Sequence, residues 1–262
     1  MRKHHEEAVA KLSEYFRDDL GVLAVILGGS VAKGLEHPKS DIDAMVAVTD
    51  ARYAELARDG RLAECVWGVC GYEGGYFDIK YCDRDYLASA AARGSEPTRN
   101  AFVKARCLWS RDPSIEELVP KIGVFQDGEA AEKMSSFHAA FTLNHGYLWS
   151  VSAENRYLRV RAASDIALFG CRMLLQEARV LFPCHKALMD AVGGLARKPD
   201  GIEAKADRML RTFDDDAKND FVSSILGFIE YRPPEEFDPI LTRFVRDHEQ
   251  WWWKERPVIA EW

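Results

Sequence analysis

Three short segments carry residue types that could act together. Gly28-Gly29-Ser30 follows an apolar run, Val22 to Leu27. Two glycines and a serine at a strand end let the backbone turn sharply and bring its N–H groups close to a ligand. If Ser30 opens a short helix, those groups and the helix dipole make an anion site. The same serine would also serve as a plain helix cap. Asp41-Ile42-Asp43 opens a second apolar run, Ala44 to Val48. In a strand, residues i and i+2 face the same way, so both carboxylates leave one face about 7 Å apart at the backbone. Side chains at that separation can converge on divalent ions about 3.5–4 Å apart. Phe77-Asp78-Ile79-Lys80-Tyr81 adds a third carboxylate on an alternating segment. A phosphate seat thus lies next to a seat for a hard cation. Lys33 falls one helical turn after Ser30, facing the same direction, where it could neutralise phosphate as a point charge. Lys80 shares a face with Asp78 and is expected to pair with the acids. Ser40 reads as a loop residue or cap.

Alternating helix and strand patterns must hold these residues. Residues 5–18 read as a helix, with Ala8, Leu12, Tyr15 and Phe16 at helical spacing. Gly21 ends it, and a strand over 22–27 leads to the bend. Residues 30–34 form one short helical turn, and Glu36 to Ser40 a loop with Pro38 as breaker. Strands are expected at 41–48, 63–70 and 76–82, with a hairpin connection from Gly71 to Gly75. Helices follow Asp50 and Arg84. Residues 101–109 mix a helix end with a further short strand, and Ser110 to Pro113 read as a turn. The order is that of an α/β domain with a mixed sheet.

Gly29-Ser30, a short spacer and Asp41-Ile42-Asp43 together resemble the signature of the DNA polymerase β-like nucleotidyltransferases. Asp78 stands where that family carries a third carboxylate on a later strand. The resemblance covers residues 22–81. It implies transfer of a nucleoside monophosphate from a nucleoside triphosphate to an acceptor, with magnesium, two ions being expected. Asp41, Asp43 and Asp78 would be the catalytic metal ligands, and Gly29, Ser30 and Lys33 the nucleotide-binding set. Asp78 would either complete the second metal site or take the acceptor's proton. Relatives often have an arginine at the place of Lys33, so the lysine is a departure.

After residue 125 strand-like alternation gives way to helical spacing. Met134, Phe137, Phe141 and Leu148 recur along one stretch, and Leu158, Ala162, Ile166, Phe169 and Met173 along the next. Shorter helices are expected over 186–195, 201–213 and 216–231, and a last one over 237–253 after the Pro233-Pro234 break. The reading is an α/β nucleotidyltransferase-fold domain, 1–124, followed by an all-α bundle, 125–262. That layout resembles the small-molecule adenylyltransferases, the aminoglycoside and lincosamide enzymes among them. The resemblance makes AMP the expected group and a hydroxyl of a small molecule the expected acceptor. Trp251-Trp252-Trp253 reads as packing of the final helix on the bundle.

Composition narrows the alternatives. Apolar content of 47% and charged content of 29% are those of an ordinary soluble chain. No apolar run approaches the ~20 residues of a membrane span, and the charged N-terminus is not a secretory signal. Six cysteines without paired spacing read as reduced thiols of a cytoplasmic protein. A net charge of −7 argues against a long nucleic-acid footprint. Two other classes stay open: a protein- or tRNA-modifying nucleotidyltransferase, and a non-catalytic nucleotide-binding regulator. Base preference and oligomeric state are not written in the sequence.

Overall fold

A computed structural model of the chain describes residues 1–253 and 257–262. The chain divides into two compact units, Met1–Val124 and Phe125–Trp262. The first is built on one mixed sheet. Its elements in order are α1 (Lys3–Tyr15), β1 (Val22–Leu27), α2 (Gly29–Lys33), β2 (Ile42–Val48), α3 (Asp50–Arg58), β3 (Ala63–Trp67), β4 (Tyr76–Cys82), α4 (Arg84–Arg93), α5 (Glu96–Ala101), β5 (Arg106–Ser110) and α6 (Pro113–Ile122). The strand order is β3-β4-β2-β1-β5. β2 and β4 run parallel; β1 with β2, β1 with β5 and β3 with β4 run antiparallel.

The pattern VLAVIL in β1 is apolar throughout because both faces of that strand are covered. Val25 and Leu27 pack with Ala8 and Leu12 of α1 and Phe16 just after it, while Ala24 and Ile26 pack with Leu87 and Ala90 of α4 and Ile115, Val119 and Ile122 of α6. β4 is half-covered and therefore alternates. Phe77 and Ile79 are buried with α1, which leaves Tyr76, Asp78 and Lys80 on the opposite face, half-buried to exposed. One buried arginine ties the helices of that side together. Arg99 donates to the carbonyls of Gly94 at 2.8 Å, Ala91 at 3.3 Å and Ile122 at 3.4 Å.

The structure departs from the sequence reading in a few places. The turn expected at Ser110 to Pro113 instead opens α6. Asp112 accepts from the Ser114 N–H at 2.9 Å and Pro113 stands in the first turn. Asp-Pro is as good a helix start as it is a turn. The strand expected over 63–70 stops at Trp67, where Gly68 takes a positive φ of 78°.

The second unit is helical: α7 (Asp127–Leu143), α8 (Arg156–Glu177), α9 (Leu188–Gly193), α10 (Ile202–Thr212), α11 (Asp215–Phe228) and α12 (Phe237–Phe244). A single apolar cluster joins them, with Phe137 and Phe141 of α7 against Phe169 of α8 and Phe221 of α11. Two stretches read as continuous helix switch to wider π turns, at Asn144–Leu148 and Val245–Glu249. The packing expected of Trp251, Trp252 and Trp253 is corrected: they are 43%, 71% and 74% exposed. Successive helical residues point about 100° apart, so three in a row cannot share one buried face. Trp262 is buried instead, its carbonyl accepting from the equally buried Arg172.

Candidate functional site

The candidate site lies where β1 and β2 of the first unit meet. The Gly28 N–H donates to the Asp43 carbonyl at 3.0 Å, which ties the bend to β2. Gly29 follows with φ +64° and opens α2, and Gly34 closes that short helix with φ +74°. Gly29 is required by more than its dihedral. A Cβ there would stand 1.7 Å from Oδ2 of Asp43, so the carboxylate occupies the space a side chain would take. Gly28 is crowded as well: its Cβ would meet the Ala101 carbonyl at 3.1 Å.

The β2–β4 register then adds the third acid. In the parallel pairing Asp43 stands opposite Asp78. Asp41 comes just before β2. One carboxylate oxygen from each of Asp41, Asp43 and Asp78 lies within 4.8 Å of the others, and all three residues are half-buried. Two unit charges at such a distance repel by about 3.5 kcal/mol or more at an effective dielectric near 20. Compensating positive charge relieves that crowding. Lys80 supplies part of it, donating to Asp78 Oδ2 at 2.8 Å, the pairing its place on the strand suggests. With Lys80 51% and Asp78 27% exposed, that pair contributes little. Three acceptor-only oxygens converging from two strands are the donor set a hard divalent ion takes, so the residues fit magnesium.

Tyrosines frame the acids. Tyr76 donates to Asp41 Oδ2 at 2.8 Å. That bond to a carboxylate, helped by burial, pushes the phenol up to about 12. Tyr72 donates to the Ser40 carbonyl at 2.6 Å. Ser40 behaves as a loop cap, its Oγ accepting from the His37 N–H at 2.8 Å.

The residues read as phosphate-binding also have definite places. Ser30 is the second residue of α2 and not its cap, which is Gly28. Lys33 ends the same helix and its ammonium donates to Asn100 Oδ1 at 2.5 Å. Lys104, at a positive φ of 57°, donates to the Lys33 carbonyl at 3.4 Å. Asn100, Tyr72 and Tyr76 were not singled out from the sequence. Only Tyr76 left a signal: it lies two residues before Asp78, on the same strand face.

Residues 9–71 match the family model for the nucleotidyltransferase domain. That segment of the N-terminal unit is similar to a nucleotidyltransferase domain. Nucleotidyl transfer, with a nucleoside triphosphate as substrate, is what that family implies. The matched segment contains Gly29, Ser30, Asp41 and Asp43; Asp78 lies beyond it and joins them through the sheet register. No curated protein matches the chain. The chain is also similar to a crystal structure of a nucleotidyltransferase-like protein from Exiguobacterium sibiricum. That similarity has 10% identity and a TM-score of 0.47, and covers 97% of this chain and 81% of the other. Among the described residues, no helix is long and apolar enough to cross a membrane.

Proposed function

We propose that the chain is a magnesium-dependent nucleotidyltransferase that moves a nucleoside monophosphate, AMP by preference, from a nucleoside triphosphate to a hydroxyl of a small molecule, releasing pyrophosphate. The observation that carries this reading is the meeting of three carboxylate oxygens within 4.8 Å beside the Gly29 bend. Asp41, Asp43 and Asp78 would hold the metal. Bound magnesium would neutralise triphosphate charge and lower the pKa of the attacking hydroxyl.

The chain's own residues do the rest by positioning and electrostatics. The bend offers the N–H groups of Gly29 and Ser30, and the Ser30 hydroxyl, to the β and γ phosphates; the Gly28 N–H is held by the Asp43 carbonyl. Lys33, from the end of the same helix, adds positive charge. Strand order supports a direction for the transfer. The bend follows β1, the acids lie on β2, just before it and on β4, and β3 lies beyond. In-line displacement needs leaving group and nucleophile on opposite sides of the α-phosphorus. Pyrophosphate held at the β1 side therefore places the acceptor on the side of Asp78. Asp78 is then the carboxylate that can take the acceptor's proton. Net charge of −7 suits a neutral or cationic acceptor better than a polyanion.

The test is incubation with labelled ATP, GTP, CTP and UTP plus magnesium against a panel of hydroxyl-bearing small molecules. Pyrophosphate release that needs an acceptor, with ATP favoured, supports the reading. Label on the protein itself would favour a protein-modifying enzyme, and nucleotide binding without turnover a regulator.

A further inference from the structure

Asp41 differs from its two partners in how it is held. Asp43 lies inside β2 and Asp78 inside β4, so their backbones are fixed by ladder bonds. Asp41 precedes β2 and has the loop from Glu36 to Ser40 on its other side. Something else must hold its carboxylate. We propose that the β3–β4 hairpin is a positioning clamp for Asp41, with Tyr76 holding its carboxylate, Tyr72 its backbone, and Trp67 bracing Tyr76. The inference rests on the metal-site reading of Asp41.

Each part of the clamp has its own contact. Tyr76 donates to Oδ2 of Asp41 at 2.8 Å, which fixes the orientation of the carboxylate while leaving it lone pairs for a cation. A phenol orients the carboxylate without cancelling its charge, as an ammonium in that place would. Tyr72 donates to the carbonyl of the preceding residue, Ser40, at 2.6 Å. Trp67 stands opposite Tyr76 in the β3–β4 register and stacks on it, ring centroids 4.2 Å apart and planes 23° from parallel. This explains why a tryptophan 64% exposed is placed on an edge strand. Gly75 belongs to the same device. A Cβ there would stand 2.5 Å from Cζ of Tyr72, so only glycine lets that ring lie across the hairpin. Groups that orient metal ligands in this way are commonly worth about 10–100-fold in metal affinity.

The experiment is a Mn2+ titration of the full chain, read from the EPR signal of free Mn2+, on wild type, Tyr76→Phe, Asp41→Asn and the double variant. Tyr76→Phe is expected to raise the Kd at least about tenfold, and to change nothing further in the Asp41→Asn background. A general loss of structure would weaken binding in both backgrounds. Trp67→Ala, which leaves both phenols in place, is expected to raise the Kd about threefold, a fraction of the phenol's own effect. Equal Kd for wild type and Tyr76→Phe overturns the clamp while the metal site stands. So does a Tyr76→Phe effect that persists undiminished beside Asp41→Asn. A wild type that binds no Mn2+ removes the metal reading itself, and the clamp with it.

Discussion

Gly29→Ala is the substitution from which the site's geometry predicts most. The new Cβ would lie 1.7 Å from Oδ2, 2.4 Å from Cγ and 2.7 Å from Cβ of Asp43. Ordinary carbon contacts begin near 3.5 Å, so the carboxylate or the bend must retreat by roughly 2 Å. The positive φ of 64° adds a backbone penalty of about 1 kcal/mol for alanine. Overpacking against a strand held on both sides adds about 1–3 kcal/mol. The sum, about 2–4 kcal/mol, lowers the melting temperature of the N-terminal unit by on the order of 10 °C. The larger effect is on the site. A carboxylate moved by more than about 1 Å leaves the cluster and costs about a hundredfold in turnover. Gly34→Ala is the matched control, because Gly34 has φ +74° but nothing within 4 Å of its Cβ. It should show the backbone penalty and keep metal affinity. The assays are thermal melts followed by near-UV circular dichroism, and Mn2+ titration. If Gly29→Ala melts within about 2 °C of wild type and binds Mn2+ as tightly, the carboxylate does not depend on that missing side chain.

Asp41→Asn and Asp43→Asn should each abolish nucleotidyl transfer while leaving the melting temperature equal or slightly raised, because each removes one of three crowded charges; pyrophosphate release and a melt check both halves. Arg99→Met should destabilise the N-terminal unit by about 3 kcal/mol, since it strips one buried and two half-buried carbonyls of their donor; urea unfolding measures it. In the helical unit, burial and nearby Lys218 hold His145 down to about 4. The unfolded chain takes up a proton near 6.5 and the folded chain does not, so stability present above that pH is lost as pH falls from about 6.5 toward 4, by on the order of 3 kcal/mol. His145→Gln should flatten that slope in melts across the window.

The sheet was legible because its strands differ in burial. β1, covered on both faces, is written as an unbroken apolar run, and β4, covered on one, as alternation around Asp78. Register was not legible. Nothing in the sequence says that Asp43 stands opposite Asp78, because pairing is set by long-range packing of Phe77 and Ile79 beneath α1. The aromatic clamp was missed for the same reason: Trp67 and Tyr76 are nine residues apart in sequence and meet only across the hairpin. The start of α6 was hidden by Asp112-Pro113, a pair that opens turns and helices alike. The π turns left no readable sign, since one extra residue in a turn changes no residue type. Gly29 was legible as a bend, but its second role, yielding space to Asp43, needed coordinates.

The central claim is that Asp41, Asp43 and Asp78 grip a metal-bound triphosphate beside the Gly29 bend. A crystal grown with Mn2+ and a non-hydrolysable ATP analogue tests it directly, through the anomalous signal of the ion. The account predicts manganese bound to oxygens of all three aspartates, with the β and γ phosphates at the Gly28-Gly29-Ser30 turn. Manganese elsewhere, or a triphosphate seated away from that turn, would contradict it.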